Sequence, residues 1–110
     1  MSSFAPFIKW GRYKSTDQNN PDVLELKVGD TEPFETSYSI NSEVLQKVDG
    51  HWEEYILPLK SHESKNALLL DLWVKASRTG SLKKGKPFKL KTWLGESKFG
   101  RPIRRFSLEF

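Results

Sequence analysis

The sequence predicts an all-β domain, a small antiparallel barrel or sandwich with an aromatic arm at its N-terminus. Three observations carry that expectation. Apolar and polar residues alternate with a period of two in several short segments, Asn, Asp, Gly and Pro cluster between those segments, and helical signals amount to one or two turns. At 110 residues the chain is one domain with a single modest core.

Residues 1–22 read as an arm or an extra strand ahead of a body that occupies 23–110. The stretch FAPFIKWGRY is short and aromatic-rich, and STDQNNPD (15–22) is a turn or loop by composition. LELKVGD (24–30) is a strand ending at a Gly-Asp turn. In FETSYSI (34–40), Phe34, Thr36, Tyr38 and Ile40 alternate with Glu35, Ser37 and Ser39, the pattern of a half-buried strand. SEVLQKVDGH (42–51) supports two readings: Ser42 could cap a short helix, and Asp49-Gly50 could be a hairpin turn. WEEYILPLK (52–60) is a strand whose Pro58 points to an edge, a bulge or a bend.

LLLDLWVKA (68–76) reads as the clearest strand, with Leu68, Leu70, Leu72 and Val74 on one face and Leu69, Asp71, Trp73 and Lys75 on the other. SRTGSLKKGK is a connector, one helical turn or a loop. PFKLKTWL (87–94) alternates again: Phe88, Leu90, Thr92 and Leu94 face one way, Lys89, Lys91 and Trp93 the other. GESKFGRP (95–102) is a loop with one aromatic, Phe99, and IRRFSLEF (103–110) closes the chain as a strand.

Charge is distributed unevenly. The formal net charge is +4. Residues 1–60 carry 6 Lys+Arg against 10 Asp+Glu, whereas residues 61–110 carry 12 against 4. A basic C-terminal half suggests a polyanion partner, although lysines also serve solubility. There is no cysteine, so neither a disulfide framework nor a thiolate metal site is available. No apolar run approaches the ~20 residues needed to span a bilayer. MSSFAPFIKWGRY lacks the basic start and apolar run of a secretory signal, so a cytoplasmic location and no membrane partner are expected.

On the strand reading, Trp73 and Trp93 lie on the face opposite the aliphatic residues, beside Lys75, Lys89 and Lys91. Exposed aromatics among cations suit a single-stranded nucleic acid, whose bases stack on the rings while its phosphates meet the cations. The competing reading buries such a tryptophan under a loop, a helix or the N-terminal arm. Phe99 in its Gly-flanked basic loop, with Lys98 and Arg101, extends the candidate surface. Arg104 and Arg105 have opposite strand parity, so only one of them can face it.

The motifs LDLWVK, GSLKKG, FKLKTW and SKFG, in that order, resemble the second half of the OB fold in archaeal single-stranded DNA-binding proteins of the replication protein A type. LKVGD followed by FETSYSI is similar to that family's opening turn and first strand. The resemblance implies a five-stranded OB-fold barrel over 23–110, base stacking by Trp73, Trp93 and Phe99, and binding of single-stranded DNA or RNA with little sequence preference. Lys75, Lys89, Lys91, Lys98 and Arg101 would line the backbone path, and protein partners in a replication or repair complex would be in keeping. The SHESKN turn, the segment around VDGHW and the aromatic arm depart from the family pattern.

Other chemistry has less support. Trp52 stands beside Glu53 and Glu54, which suits a core or rim position better than a phosphate track, with base stacking as the alternative. His51 and His62 have no metal-ligand spacing. No nucleophile motif, Gly-rich phosphate loop or carboxylate pair supports an enzyme, and no cofactor is expected. The alternatives are a protein-interaction module that docks through the arm and the Trp surface, and, less well suited to the lysines, an oligosaccharide-binding barrel.

Overall fold

In the computed structural model residues 5–29 and 32–110 are described. A 3-10 turn at Trp10–Arg12 precedes β1 (Asp22–Val28), β2 (Phe34–Glu35), β3 (Ser39–Val48), β4 (His51–Ser61), α1 (Leu68–Arg78), β5 (Phe88–Glu96) and β6 (Pro102–Glu109). The strands form one antiparallel sheet. β4 runs along one edge of β3, and β1 and β2 follow one another along its other edge. β5 pairs with the free side of β1, and β6 with β5. The β class expected from the alternation is therefore observed. The sheet has six strands rather than five and is open, because β4 and β6 are not paired with each other.

Local chemistry explains the turns. The segment 42–51 is strand and hairpin, not helix: Asp49 (φ 50°) and Gly50 (φ 82°) both adopt positive φ between β3 and β4, as a type I′ turn requires. Pro58 sits beside a bulge. Ile40 pairs with Lys60 but Asn41 pairs with Pro58, so Leu59 is the extra residue, and its side chain is buried. FETSYSI is not one strand. It breaks into β2, a turn at 36–38 and the start of β3, with the Thr36 hydroxyl accepting from the N–H groups of Tyr38 and Ser39. Tyr38 is consequently 80% exposed at the tip.

The larger correction concerns LLLDLWVKASR, which is a helix. Leu69, Trp73 and Ala76 are its buried residues and fall at i, i+4 and i+7, while Asp71, Lys75 and Arg78 repeat that spacing on the exposed side. The segment is rich in Leu and holds one β-branched residue, Val74, so intrinsic preference also favours helix. Its end is a Schellman motif. Ser81 N–H donates to Ala76 O and Gly80 N–H to Ser77 O, with Gly80 at φ 77°.

The helix lies across β4 and β6 and completes the core. Leu24, Leu26, Leu57 and Leu90 from the sheet meet Leu69 and Trp73 from α1, and the Trp73 indole packs edge-on against Phe88 at 5.6 Å. The arm contributes as well. Ile8 N–H donates to Ile56 O and Ile56 N–H to Pro6 O, a short parallel pairing with β4 that places Ile8 in the core. Trp10 then packs edge-on against Phe106 at 5.1 Å. No helix among the described residues is long and apolar enough to cross a membrane.

Candidate nucleic-acid interface

Strand parity gives the sheet one face toward the core and one toward solvent. On β5 the buried residues are Phe88, Leu90 and Thr92, so Lys89, Lys91 and Trp93 point outward as the alternation requires. Register extends the outward face to neighbouring strands, since directly opposed residues share a side. Trp93 stands opposite Arg105, Lys91 between Val23 and Ser107, and Lys89 between Glu25 and Glu109. Further across, Lys27 opposes Leu45 and Lys47 opposes Trp52.

The charges on this face are partly compensated. Lys91 is 3.5 Å from Glu109, and Lys47 is 3.9 Å from Glu25. Lys89 and Arg105 have no ion-pair partner among the described residues. Lys27 Nζ lies 4.0 Å from the centroid of the Trp52 ring, a cation–π pair on the surface. On a flat sheet, three strand spacings and four residues along a strand separate Trp93 from Trp52 by roughly 20 Å.

Beyond Trp93, β5 turns into β6 through residues 97–101. This loop is built rather than slack. Ser97 N–H donates to Arg101 O at 2.8 Å, Gly100 N–H to Ser97 O at 2.9 Å, and Ser97 Oγ accepts from the N–H groups of Phe99 and Arg101. Gly100 takes φ 75°, which closes the turn without strain. Phe99 is left 78% exposed, with Lys98 Nζ 5.2 Å from its ring centroid. Arg101 is exposed beside it.

Two of the residues expected on this surface are elsewhere. Trp73 is 1% exposed, because the helix turns it toward Phe88 and the core. Lys75 is exposed on the solvent side of α1 with Asp71 and Arg78, on the core-covering layer and away from the outward sheet face. The LDLWVK segment that carried much of the family resemblance is thus helical, and its tryptophan has no open ring face for a base. Trp93, Phe99, Lys89, Lys91, Lys98 and Arg101 do share the outward face and its adjoining loop.

The arginine pair divides cleanly. Arg105 is exposed across from Trp93. Arg104 turns inward, donating from Nη1 to Thr92 Oγ1 at 3.1 Å and from Nη2 to Tyr13 O at 2.8 Å. Burial lowers its pKa from the ordinary arginine value, and the charge of Asp22 works in the opposite sense.

Two residues were not foreseen as site candidates, the half-buried Lys27 and the exposed Tyr38, and Trp52, expected at the core or rim or else as a stacking residue, is half-buried. Trp52 shares strand parity with Glu54, and only the register with β3 and β1 brings Lys47 and Lys27 to it. The signal for Tyr38 was present, since Thr36 and Ser37 before it are turn formers. His62 ties the Tyr38 turn to the end of β4, with Nε2 2.9 Å from Thr36 O and 3.2 Å from Glu35 Oε2. Among the described residues no cluster of His, Asp and Glu could hold a metal. Comparison of the chain with models of known protein families, with curated proteins and with solved structures finds no match.

Proposed function

We propose that this protein binds single-stranded nucleic acid, DNA or RNA, with little sequence preference, through the outward face of β5 and β6 and the 97–101 loop. The observation that carries the reading is Phe99, a phenylalanine 78% exposed at the tip of an ordered loop with Lys98 against its ring. Holding an apolar ring in water has no benefit to folding, whereas a fixed ring offers a base roughly 1–3 kcal/mol of stacking. Trp93 with Arg105, and Lys89 and Lys91 below them, continue the same combination of ring and cation down the strand.

We read the architecture as a partly open OB-type barrel. Its support is the strand order: β1 with β2 following it on the same edge of β3, then β3, β4, α1, β5 and β6. The OB fold binds oligonucleotides on the face of its second and third strands and with the loops after its first and fourth. On that correspondence the loop after β5 carries Phe99, and the turn before β3 carries Tyr38. Strand three then supplies Trp52, which makes Trp52 and Tyr38 additional stacking residues.

The test is a titration of tryptophan fluorescence with oligo-dT, oligo-U and a duplex at several salt concentrations. The expected result is quenching by the single strands, with affinity falling by about 0.7 log units per log unit of salt for each phosphate contacted. Phe99→Ala and Trp93→Ala should each weaken binding by about 1–3 kcal/mol. Unchanged fluorescence, together with no retardation of a labelled strand at low salt, overturns the proposal. Loss of a protein partner without loss of strand binding in Trp93→Ala would favour the interaction-module reading instead.

A further inference from the structure

The seam between β4 and β6, where the sheet stays open, contains a cavity of about 240 Å³. Trp10, Leu59 and Phe106 form its apolar side, and Arg104, Lys60 and Asn66 its polar side. It lies on a part of the molecule distinct from the outward face, since Arg104 and Phe106 have the parity opposite to Arg105.

Arg104 is the feature that needs an explanation. It is half-buried, yet both of its hydrogen-bond acceptors, Thr92 Oγ1 and Tyr13 O, are neutral. A guanidinium has five N–H donors, so three remain beyond these two bonds. No carboxylate lies within ion-pair distance among the described residues, and the nearby Asp22 carboxylate already accepts from Ser15 N–H at 2.9 Å. A partly desolvated charge whose nearest carboxylate, Asp22, acts only from beyond ion-pair distance is incompletely compensated, and the second cation, Lys60, adds to the positive potential of the same cavity. Asn66 cannot compensate: its Oδ1 accepts from Leu68 N–H and its Nδ2 donates to Arg104 O.

The apolar side specifies the rest of the ligand. The Trp10 indole meets Phe106 edge-on, and the Arg104 guanidinium carbon is 5.9 Å from its ring centroid. An aromatic wall beside two cations suits a planar ring that bears an anionic group. Ligand pockets usually run from about 300 Å³ upward, so a cavity below that range takes one ring and its anion, not an oligomer.

We propose that the seam binds a single nucleotide unit, with the base against Trp10 and the phosphate between Arg104 and Lys60. The unit could be a free nucleoside monophosphate or the phosphorylated end of a strand. The site stands independently of the outward face and survives if that face proves not to bind.

The experiment is an NMR titration of the whole protein with dTMP, thymidine and inorganic phosphate, following the Trp10 indole N–H. dTMP should shift that resonance saturably, and thymidine and phosphate should each bind weaker by about ten-fold or more, as expected on losing either a charge-assisted bond or the ring contact. Arg104→Met should weaken dTMP binding by a similar factor. Because that variant removes two internal hydrogen bonds, Lys60→Glu, at the rim, is the second arm and should weaken it as well. Phe99→Ala should leave it unchanged. A (dT)4 with a 5′-phosphate and one without then identify the source: a Trp10 shift only with the phosphorylated strand points to strand ends, and a shift with neither strand points to the free nucleotide. Phosphate binding as well as dTMP, or dTMP affinity indifferent to Lys60→Glu, would overturn the proposal.

Discussion

Trp73 and Phe99 show how the surroundings of an aromatic side chain set its role. Trp73 fills the space between α1 and Phe88 and is 1% exposed, so truncating it leaves a large void. Trp73→Ala should destabilise the fold by about 3–5 kcal/mol, read as a lower urea midpoint, and should leave the affinity of the folded fraction for oligo-dT unchanged. Phe99→Ala should do the reverse. Phe99 is 78% exposed, with Lys98 Nζ 5.2 Å from its ring centroid, so the stability change should stay within about 0.5 kcal/mol while nucleic-acid affinity falls. Equal effects of the two substitutions on binding would contradict the assignment of Trp73 to the core. Arg104 and Arg105, adjacent in sequence, make the same point for charge: one bonds Thr92 and Tyr13 inside, the other stands across from Trp93 outside.

Among the elements, the β3–β4 hairpin is the one most tightly specified by its turn. Asp49 and Gly50 both hold positive φ, a conformation that costs a β-branched residue about 1–2 kcal/mol. Gly50→Val should therefore lower the melting temperature by about 4–8 °C per kcal/mol lost in a domain of this size. No neighbouring atom lies within 4 Å of an added Cβ there, so the loss would come from the backbone and not from a clash. The helix is specified differently. Its buried stripe of Leu69, Trp73 and Ala76 is aligned only when the chain coils at 3.6 residues per turn, and Gly80 stops it through the Schellman bonds. A short apolar run allows both periods, which is why the alternation of Leu68, Leu70, Leu72 and Val74 also fits a strand.

At the scale of the whole molecule, the open seam and the arm belong together. β4 and β6 do not pair, and Trp10 packs against Phe106 from that side while Asn66 donates to Arg104 O. Trp10→Ala should cost roughly half of the ~1.5–3 kcal/mol that full burial of a large apolar side chain contributes. Urea denaturation read by far-UV circular dichroism would measure it, and a cost near zero would mean that the arm does not hold the seam. The charge asymmetry also acts at this scale. Lys91 is partly neutralised by Glu109, so the salt dependence of strand binding should reflect fewer phosphate contacts than the number of basic residues on the C-terminal half.

The sequence by itself determined the β class, the parity of β5 with Lys89, Lys91 and Trp93 outward, the irregularity at Pro58 and the exposed position of Phe99, and it offered the Asp49-Gly50 turn as one of two readings of 42–51. Each of these follows from local chemistry: side-chain alternation, positive-φ preference, a missing N–H, or a turn too polar to bury. Only the tertiary structure decided the rest. It turned 68–78 into a helix and Trp73 into core, because burial against Phe88 and β6 rewards the 3.6 period over the period of two. It chose between Arg104 and Arg105, brought Lys27 to Trp52 across two strands, and left the seam where Trp10 meets Arg104. Those outcomes depend on which strands are neighbours and in what register, and no residue carries that information alone.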